Sequence, residues 1–131
     1  MGHIEIQPGV KRSPFPRAQT LIKLPAGTYI YISGPMSGYA DFNRRRFAEL
    51  AEKFRAMGLV VGSPPELNEL HGLSDVEAYS EYMRGDYREI CGYDAMFMMV
   101  GWQASVGCNR ELRIATEMAL AIIFEEGRVS I

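Results

Sequence analysis

The chain has 131 residues, of which 47% are hydrophobic and 23% are charged, which is ordinary globular composition with enough material for one core. A formal net charge of −2 argues against a nucleic-acid polymer as the main partner, because such partners select basic surfaces. No apolar run reaches the roughly 18 residues of a membrane span, and the N-terminus lacks the apolar segment of a signal peptide. We therefore expect a soluble cytoplasmic protein.

The cysteines and histidines do not form a metal-binding pattern. Cys91 and Cys108 lack C-x-x-C spacing, and His3 and His71 stand alone. Free thiols in a reducing compartment are the default for such a chain. We expect neither a metal nor a cofactor.

Proline divides the chain into two parts. Residues 1–27 hold four of the seven prolines, a density that interrupts helices and central strands. We interpret residues 1–27 as a Pro-rich N-terminal extension, with a short strand near Gln19–Lys23. Residues 28–131 form the predicted domain.

Strand-like and helix-like segments alternate within that domain. The predicted strands are Thr28–Ser33, Leu59–Val61, Asp94–Val100 and a truncated one at Arg128–Ile131. The predicted helices are one from an N-cap at Asp41 to a C-cap glycine at Gly58, one from a capping box at Ser74 to Ile90, and one over Gly107–Glu126. Glu66–Leu73 is interpreted as a loop. This order predicts an α/β fold with a parallel sheet and helices on both of its faces.

Ligands of such sheets bind beyond the carboxyl ends of the strands. The segments expected to meet there are Ser33–Gly38, Ser63–Leu73 and Gly101–Gly107. Trp102 lies in the last of them, where its ring would either stack on a base or sugar or pack over the loop.

Two carboxylates fall on helix faces that are otherwise apolar. Glu111 shares a stripe with Cys108, Ala115, Met118 and Ile122 at helical spacing. Burying a carboxylate is expensive unless it is satisfied or used. A Glu near a helix start also complements the helix dipole, which is the alternative explanation and leads us to expect an ionised Glu111.

Asp86 lies on the apolar side of the preceding helix, at helical spacing from Tyr82, Met83 and Ile90. Its alternative explanation is a helix-face carboxylate turned toward an arginine at the edge of the core. Two inward carboxylates that converge on one cleft would instead suggest an acid and a nucleophile.

Three motifs in order resemble the nucleoside 2-deoxyribosyltransferase superfamily. They are Tyr31-Ile-Ser-Gly-Pro-Met-Ser-Gly38, Asp86 followed eight residues on by Asp94, and Ser105-x-Gly107-x-x-x-Glu111. The opening is most similar to that of small, phage-associated members of uncharacterised function. The resemblance covers about residues 28–131, and it implies a flavodoxin-like three-layer sandwich with a four- to five-stranded, mainly parallel sheet.

The resemblance also implies cleavage of an N-glycosidic bond. Glu111 matches the nucleophile that attacks C1′ of the sugar, and Asp86 matches the group that handles the proton on the leaving base. Tyr31 matches the tyrosine that orients the nucleophile. An oxocarbenium-like transition state is stabilised by a carboxylate beneath C1′, which Glu111 would supply. The departing base needs a proton, which a buried and therefore partly protonated Asp86 would supply.

Ser105 bears on the substrate that the resemblance implies. Free-nucleoside transferases carry an acidic residue at this position, whereas 2′-deoxynucleoside 5′-phosphate N-hydrolases carry a phosphate-binding serine. Those hydrolases also use a Ser and an Arg where this chain has Pro35 and Ser37. A phosphate would thus rely on Ser37, Gly38 and Ser105, with Arg44 or Arg45, although Arg44–Arg46 also fits a solvated helix face. The full set of predicted binding residues is Ser33, Gly34, Pro35, Met36, Ser37, Gly38, Trp102, Ser105 and Gly107.

Three hypotheses for the function follow. The first is an N-glycosidase that acts on a nucleotide or nucleoside by hydrolysis or transfer. The second is a non-catalytic nucleotide-binding protein of the same fold, such as a sensor or a sequestering protein, and a pure scaffold is a third. The superfamily's members tend to be homo-oligomers, so we expect a dimer or larger.

Overall fold

The computed structural model describes residues 24–70, 89–126 and 129–130. The helix predicted over residues 74–90, which carries Asp86, lies outside the described residues except for its last two positions. The strands are β1 (Tyr29–Ser33), β2 (Val60–Gly62), β3 (Ala95–Met98), β4 (Ala121–Phe124) and β5 (Val129–Ser130). The α-helices are α1 (Arg44–Ala56), α2 (Pro64–Leu70) and α3 (Val106–Glu117), with short 3-10 turns at Ala40–Asn43 and Trp102–Ala104.

The strands form one sheet in the order β2-β1-β3-β4-β5. The first four are parallel, and β5 pairs with β4 in the antiparallel direction. The prediction of an α/β, flavodoxin-like fold with a mainly parallel sheet is confirmed. In this order the chain reverses its winding between β1 and β3, which is where such sheets bind ligands.

Alternation along β1 sends its side chains into two separate cores. Ile30 and Ile32 face α1, where they pack with Phe47 and Phe54. Tyr31 belongs to the opposite core, under α3. Ser33 follows Tyr31 by two positions and therefore lies on the α3 side as well.

The third predicted helix ends earlier than its apolar run does. Gly107–Glu126 was predicted as one helix, but α3 stops at Glu117 and residues 121–124 form β4, which lies between β3 and β5 in the sheet. The turn between them places Ala119 at φ 61, a left-handed conformation that usually calls for glycine. No glycine marks this helix end, and the apolar residues that follow fit a buried strand as well as a helix. The predicted truncated strand is present as β5, but it is antiparallel.

Two further predictions about helices are wrong. Asp41 is not an N-cap, because residues 41–43 have φ of 49, 53 and 64, and α1 begins only at Arg44. The amide of Asn43 holds this left-handed turn by donating to the carbonyl of Pro35 at 2.9 Å. The loop predicted from Glu66 begins instead as helix α2, which starts on Pro64, a residue favoured at a first helical position.

None of the described helices is long and apolar enough to cross a lipid bilayer.

Candidate functional site

Glu111 is the only acidic or basic side chain among the described residues that is buried, with 5% of its surface exposed. It lies on the inner face of α3, together with Cys108, Ile114 and Ala115. The predicted inward stripe is therefore correct over α3. It fails beyond the helix, because Met118 is exposed and Ile122 belongs to β4.

Two hydroxyl groups of β1 hold the carboxyl group of Glu111. The Ser33 hydroxyl donates to Oε1 at 2.6 Å, and the Tyr31 hydroxyl donates to Oε2 at 3.2 Å. Both donors project from one face of β1 because they are two residues apart. Contact between Tyr31 and Glu111 was expected, whereas Ser33 was expected to bind substrate.

Burial determines the protonation of Glu111. Desolvation raises the pKa of its carboxyl group to about 8, although the hydrogen bonds from Ser33 and Tyr31 act to lower it. The expectation that the helix dipole keeps Glu111 ionised is therefore wrong. The dipole acts mainly within the first turn, and Glu111 lies a full turn beyond Val106.

The other group at this position is the thiol of Cys108. Burial raises its pKa to about 11, despite hydrogen bonding to the hydroxyls of Ser105 and Ser33. A neutral thiol is a poor nucleophile, so Cys108 does not provide a reactive sulfur.

A cleft of about 350 Å³ opens at the carboxyl edge of the sheet. One wall comes from the loop after β1 and the other from the segment between β3 and α3, so the cleft lies at the topological switch point. The lining residues are Pro35, Met36, Ser37, Tyr39, Gly101, Ala104, Ser105, Val106 and Gly107. Two of the three segments that were predicted to meet, 33–38 and 101–107, therefore do so. Of the third, none of residues 63–67, whose side chains the structure describes, lines the cleft.

Five of the nine predicted binding residues line this cleft: Pro35, Met36, Ser37, Ser105 and Gly107. Ser33 does not line the cleft and donates to Glu111 instead, and Gly34 is packed so closely that an added Cβ would overlap the side chain of Met99. Gly38 supplies a turn at φ 85. Trp102 packs on Phe124 with ring centroids 5.4 Å apart, which is the packing alternative rather than a stacking surface in the cleft.

Sequence reasoning missed Tyr39, which lines the cleft and is half-exposed. Its hydroxyl lies against Gly101, where an added Cβ would come within 2.6 Å of it. Gly101 has φ 94, so a side chain there would be strained as well as crowded. The only sequence signal for a role of Tyr39 in the cleft was its position directly after the Gly34–Gly38 turn.

Ser105 caps α3 at the edge of the cleft. Its hydroxyl accepts a hydrogen bond from the backbone N–H of Cys108 at 3.1 Å, which is the role of an N-cap residue. Ser105 therefore has a structural role beside any contact with a ligand.

The arginines considered for a phosphate lie elsewhere. Arg44 forms an ion pair with Asp41 at 2.9 Å, and Arg45 extends into solvent near Glu49. Neither lines the cleft, and none of the described residues that do so is charged. The solvated-face alternative fits Arg45, whereas Arg44 is 33% exposed and its guanidinium also lies 5.6 Å from the ring centroid of Phe42.

The comparison with protein families supplies a relationship but no activity. Residues 28–124 match a family described as a domain of unknown function, DUF4406. The chain belongs to this family. The DUF4406 match includes β1 to β4, Glu111 and every residue that lines the cleft. A comparison with curated proteins gives no match.

Proposed function

We propose that this DUF4406 protein is an N-glycosidase that acts on a nucleotide or a nucleoside. The observation that carries the proposal is Glu111: a buried carboxyl group that accepts hydrogen bonds on both oxygens and lies one helical turn after Gly107, which lines the cleft at the switch point of the sheet. Burying such a group lowers stability, so a use in chemistry accounts for its presence better than packing does.

In the proposed reaction, a carboxylate oxygen of Glu111 attacks C1′ of the sugar. The C1′–N bond breaks, its electron pair stays on the base, and the base nitrogen takes a proton from Asp86. Water or an acceptor base then attacks C1′, loses a proton to Asp86 and breaks the ester bond, which restores the carboxylate of Glu111 and the acid form of Asp86. The role of Asp86 comes from the sequence resemblance and remains a prediction.

Incubation with a panel of nucleoside monophosphates, deoxynucleosides and ribonucleosides tests the proposal, with free base measured by chromatography. We expect base release, and we expect Glu111→Gln to abolish it because an amide cannot form the glycosyl ester. Glu117→Gln is the matched control, since Glu117 is an exposed glutamate on the same helix. Release that persists in Glu111→Gln would contradict the assignment of the nucleophile.

One observation favours the second candidate, a non-catalytic nucleotide-binding protein. With a pKa of about 8, Glu111 is mainly neutral at pH 7, and a neutral carboxyl group can donate a hydrogen bond to a ligand. Calorimetry with the same panel separates the two candidates. Tight binding without base release, at pH 7 and at pH 9, would support the binding protein and reject the glycosidase.

A further inference from the structure

The two hydroxyls on Glu111 are not equivalent. The Ser33 contact with Oε1 is 2.6 Å, at the short end for O–H···O bonds, whereas the Tyr31 contact with Oε2 is 3.2 Å. Ser33 is fully buried, and its carbonyl accepts a hydrogen bond from the N–H of Met99 at 2.8 Å. The stronger donor to Glu111 is therefore also fixed in the sheet.

The titratable groups that face Glu111 within the described residues are few. Tyr31 comes from β1 and Cys108 from α3. Tyr93 does not reach Glu111 but packs edge-on against the ring of Tyr31, with ring centroids 5.3 Å apart. The Tyr93 hydroxyl donates to the carboxylate of Glu89 at 3.0 Å. Ser33 itself does not titrate, so its removal changes a hydrogen bond without changing a charge.

We propose that Ser33 is a positioning residue, which holds Oε1 of Glu111 and orients Oε2 as the oxygen that meets the substrate. An oxygen that accepts a short hydrogen bond has less electron density to give, so the less constrained Oε2 is the better nucleophile. The role of Oε2 rests on the proposed glycosidase function. The effect of the Ser33 hydrogen bond on Oε1 does not rest on that function, because it can be measured without a substrate.

The test measures the titration of Glu111 by NMR of protein carrying ¹³C in its glutamate carboxyl groups. The Glu111 signal should titrate near pH 8, well above ordinary glutamates, and Glu111→Gln identifies it by its loss. In Ser33→Ala the midpoint should rise by about one to two pH units, because the ionised form loses its strongest donor. Tyr31→Phe should give a smaller rise.

Matched variants separate this effect from general loss of structure. Ser63→Ala removes the other buried serine hydroxyl of the described residues, and it should leave the Glu111 midpoint unchanged. Ser33→Cys keeps the shape and supplies a weak donor, so its midpoint should fall between those of wild type and Ser33→Ala. A midpoint that stays in place in both Ser33 variants overturns the inference.

Kinetics then test the role of Oε2. If wild type releases base, Ser33→Ala should lower kcat at pH 7 by about tenfold or more with a smaller change in KM, and its pH profile should move to higher pH. An unchanged profile would overturn the positioning role. A shifted NMR midpoint with no base release from wild type would reject the proposed function and the role of Oε2, and would leave the Ser33 hold on Glu111 established.

Discussion

Glu111 lowers the stability of the folded protein when it ionises, because its charge then lies away from water. The folded-state pKa of about 8 exceeds the unfolded value near 4.5. The bound proton therefore stabilises the fold fully below pH 4.5, and this contribution is lost as the pH rises to about 8. Each unit of difference corresponds to about 1.4 kcal/mol in the free energy of unfolding.

We expect Glu111→Gln to become more stable relative to wild type as the pH rises between about 4.5 and 8. The amide keeps the size of the side chain and cannot ionise, so the pH-dependent cost disappears. Urea unfolding at pH 5, 6, 7 and 8 measures the difference, with Glu117→Gln as the control for loss of a surface charge. Parallel pH curves for wild type and Glu111→Gln would contradict this prediction.

The same titration sets the expected pH dependence of catalysis. Only the ionised carboxylate attacks, so kcat/KM for base release should rise with pH and level off above about 8. Measurement from pH 5 to pH 9.5 with the best substrate of the panel gives the profile. A rate that is already maximal at pH 5 would show that Glu111 is ionised there, against the effect of its burial.

At the scale of elements, α1 and α3 end in the same hydrogen-bond pattern. After α1, the N–H of Gly58 donates to the carbonyl of Arg55, and that of Leu59 donates to the carbonyl of Phe54. After α3, the N–H of Ala119 donates to the carbonyl of Thr116, and that of Leu120 donates to the carbonyl of Ala115. Both are Schellman motifs, but only the first has glycine at its left-handed position.

Ala119→Gly should therefore stabilise the protein by roughly 0.5–1 kcal/mol, because glycine adopts this conformation without the strain of a Cβ. Ala119 is exposed, so little packing is lost. Thermal unfolding should show a higher Tm. The reciprocal control is Gly58→Ala, whose added Cβ would lie 3.3 Å from Ala26, and it should lower the Tm. An Ala119→Gly variant less stable than wild type would contradict the strain argument.

Four exposed hydrophobic side chains, which we call the apolar rim, lie in or next to the segments that line the cleft. They are Tyr39, Phe42, Val100 and Val106, between 38% and 67% exposed, and Tyr39 and Val106 line the cleft itself. Exposed apolar surface can mark an interaction site, and the resemblance implies oligomers whose clefts are completed by a neighbour.

We therefore expect a dimer or larger that uses this rim, measured by light scattering. Val100→Asp should reduce the mass toward that of a monomer, because it places a charge in the contact. Val60→Asp is the control. Val60 is also exposed, but it is the first residue of β2 and so lies at the amino end of that strand, away from the carboxyl ends where the cleft opens. A monomeric wild type, or equal effects of both variants, would reject this prediction.

The amino-acid sequence by itself determined the alternation of strands and helices and the inward position of Glu111. These features follow from periodicities of about two and 3.6 residues, which are properties of neighbouring positions. The end of α3 was missed because its local signal is absent: Ala119 occupies a position where glycine would have marked the turn.

Only the tertiary structure decided the protonation of Glu111 and the identity of its strongest partner. The hydrogen bonds to Glu111 come from Ser33 and Tyr31, which lie 78 and 80 positions away along the chain. Desolvation depends on everything that packs around a group, and no local pattern encodes that sum. The helical spacing placed a carboxylate inside the protein, and the fold then surrounded it with enough apolar material to keep a proton on it at neutral pH.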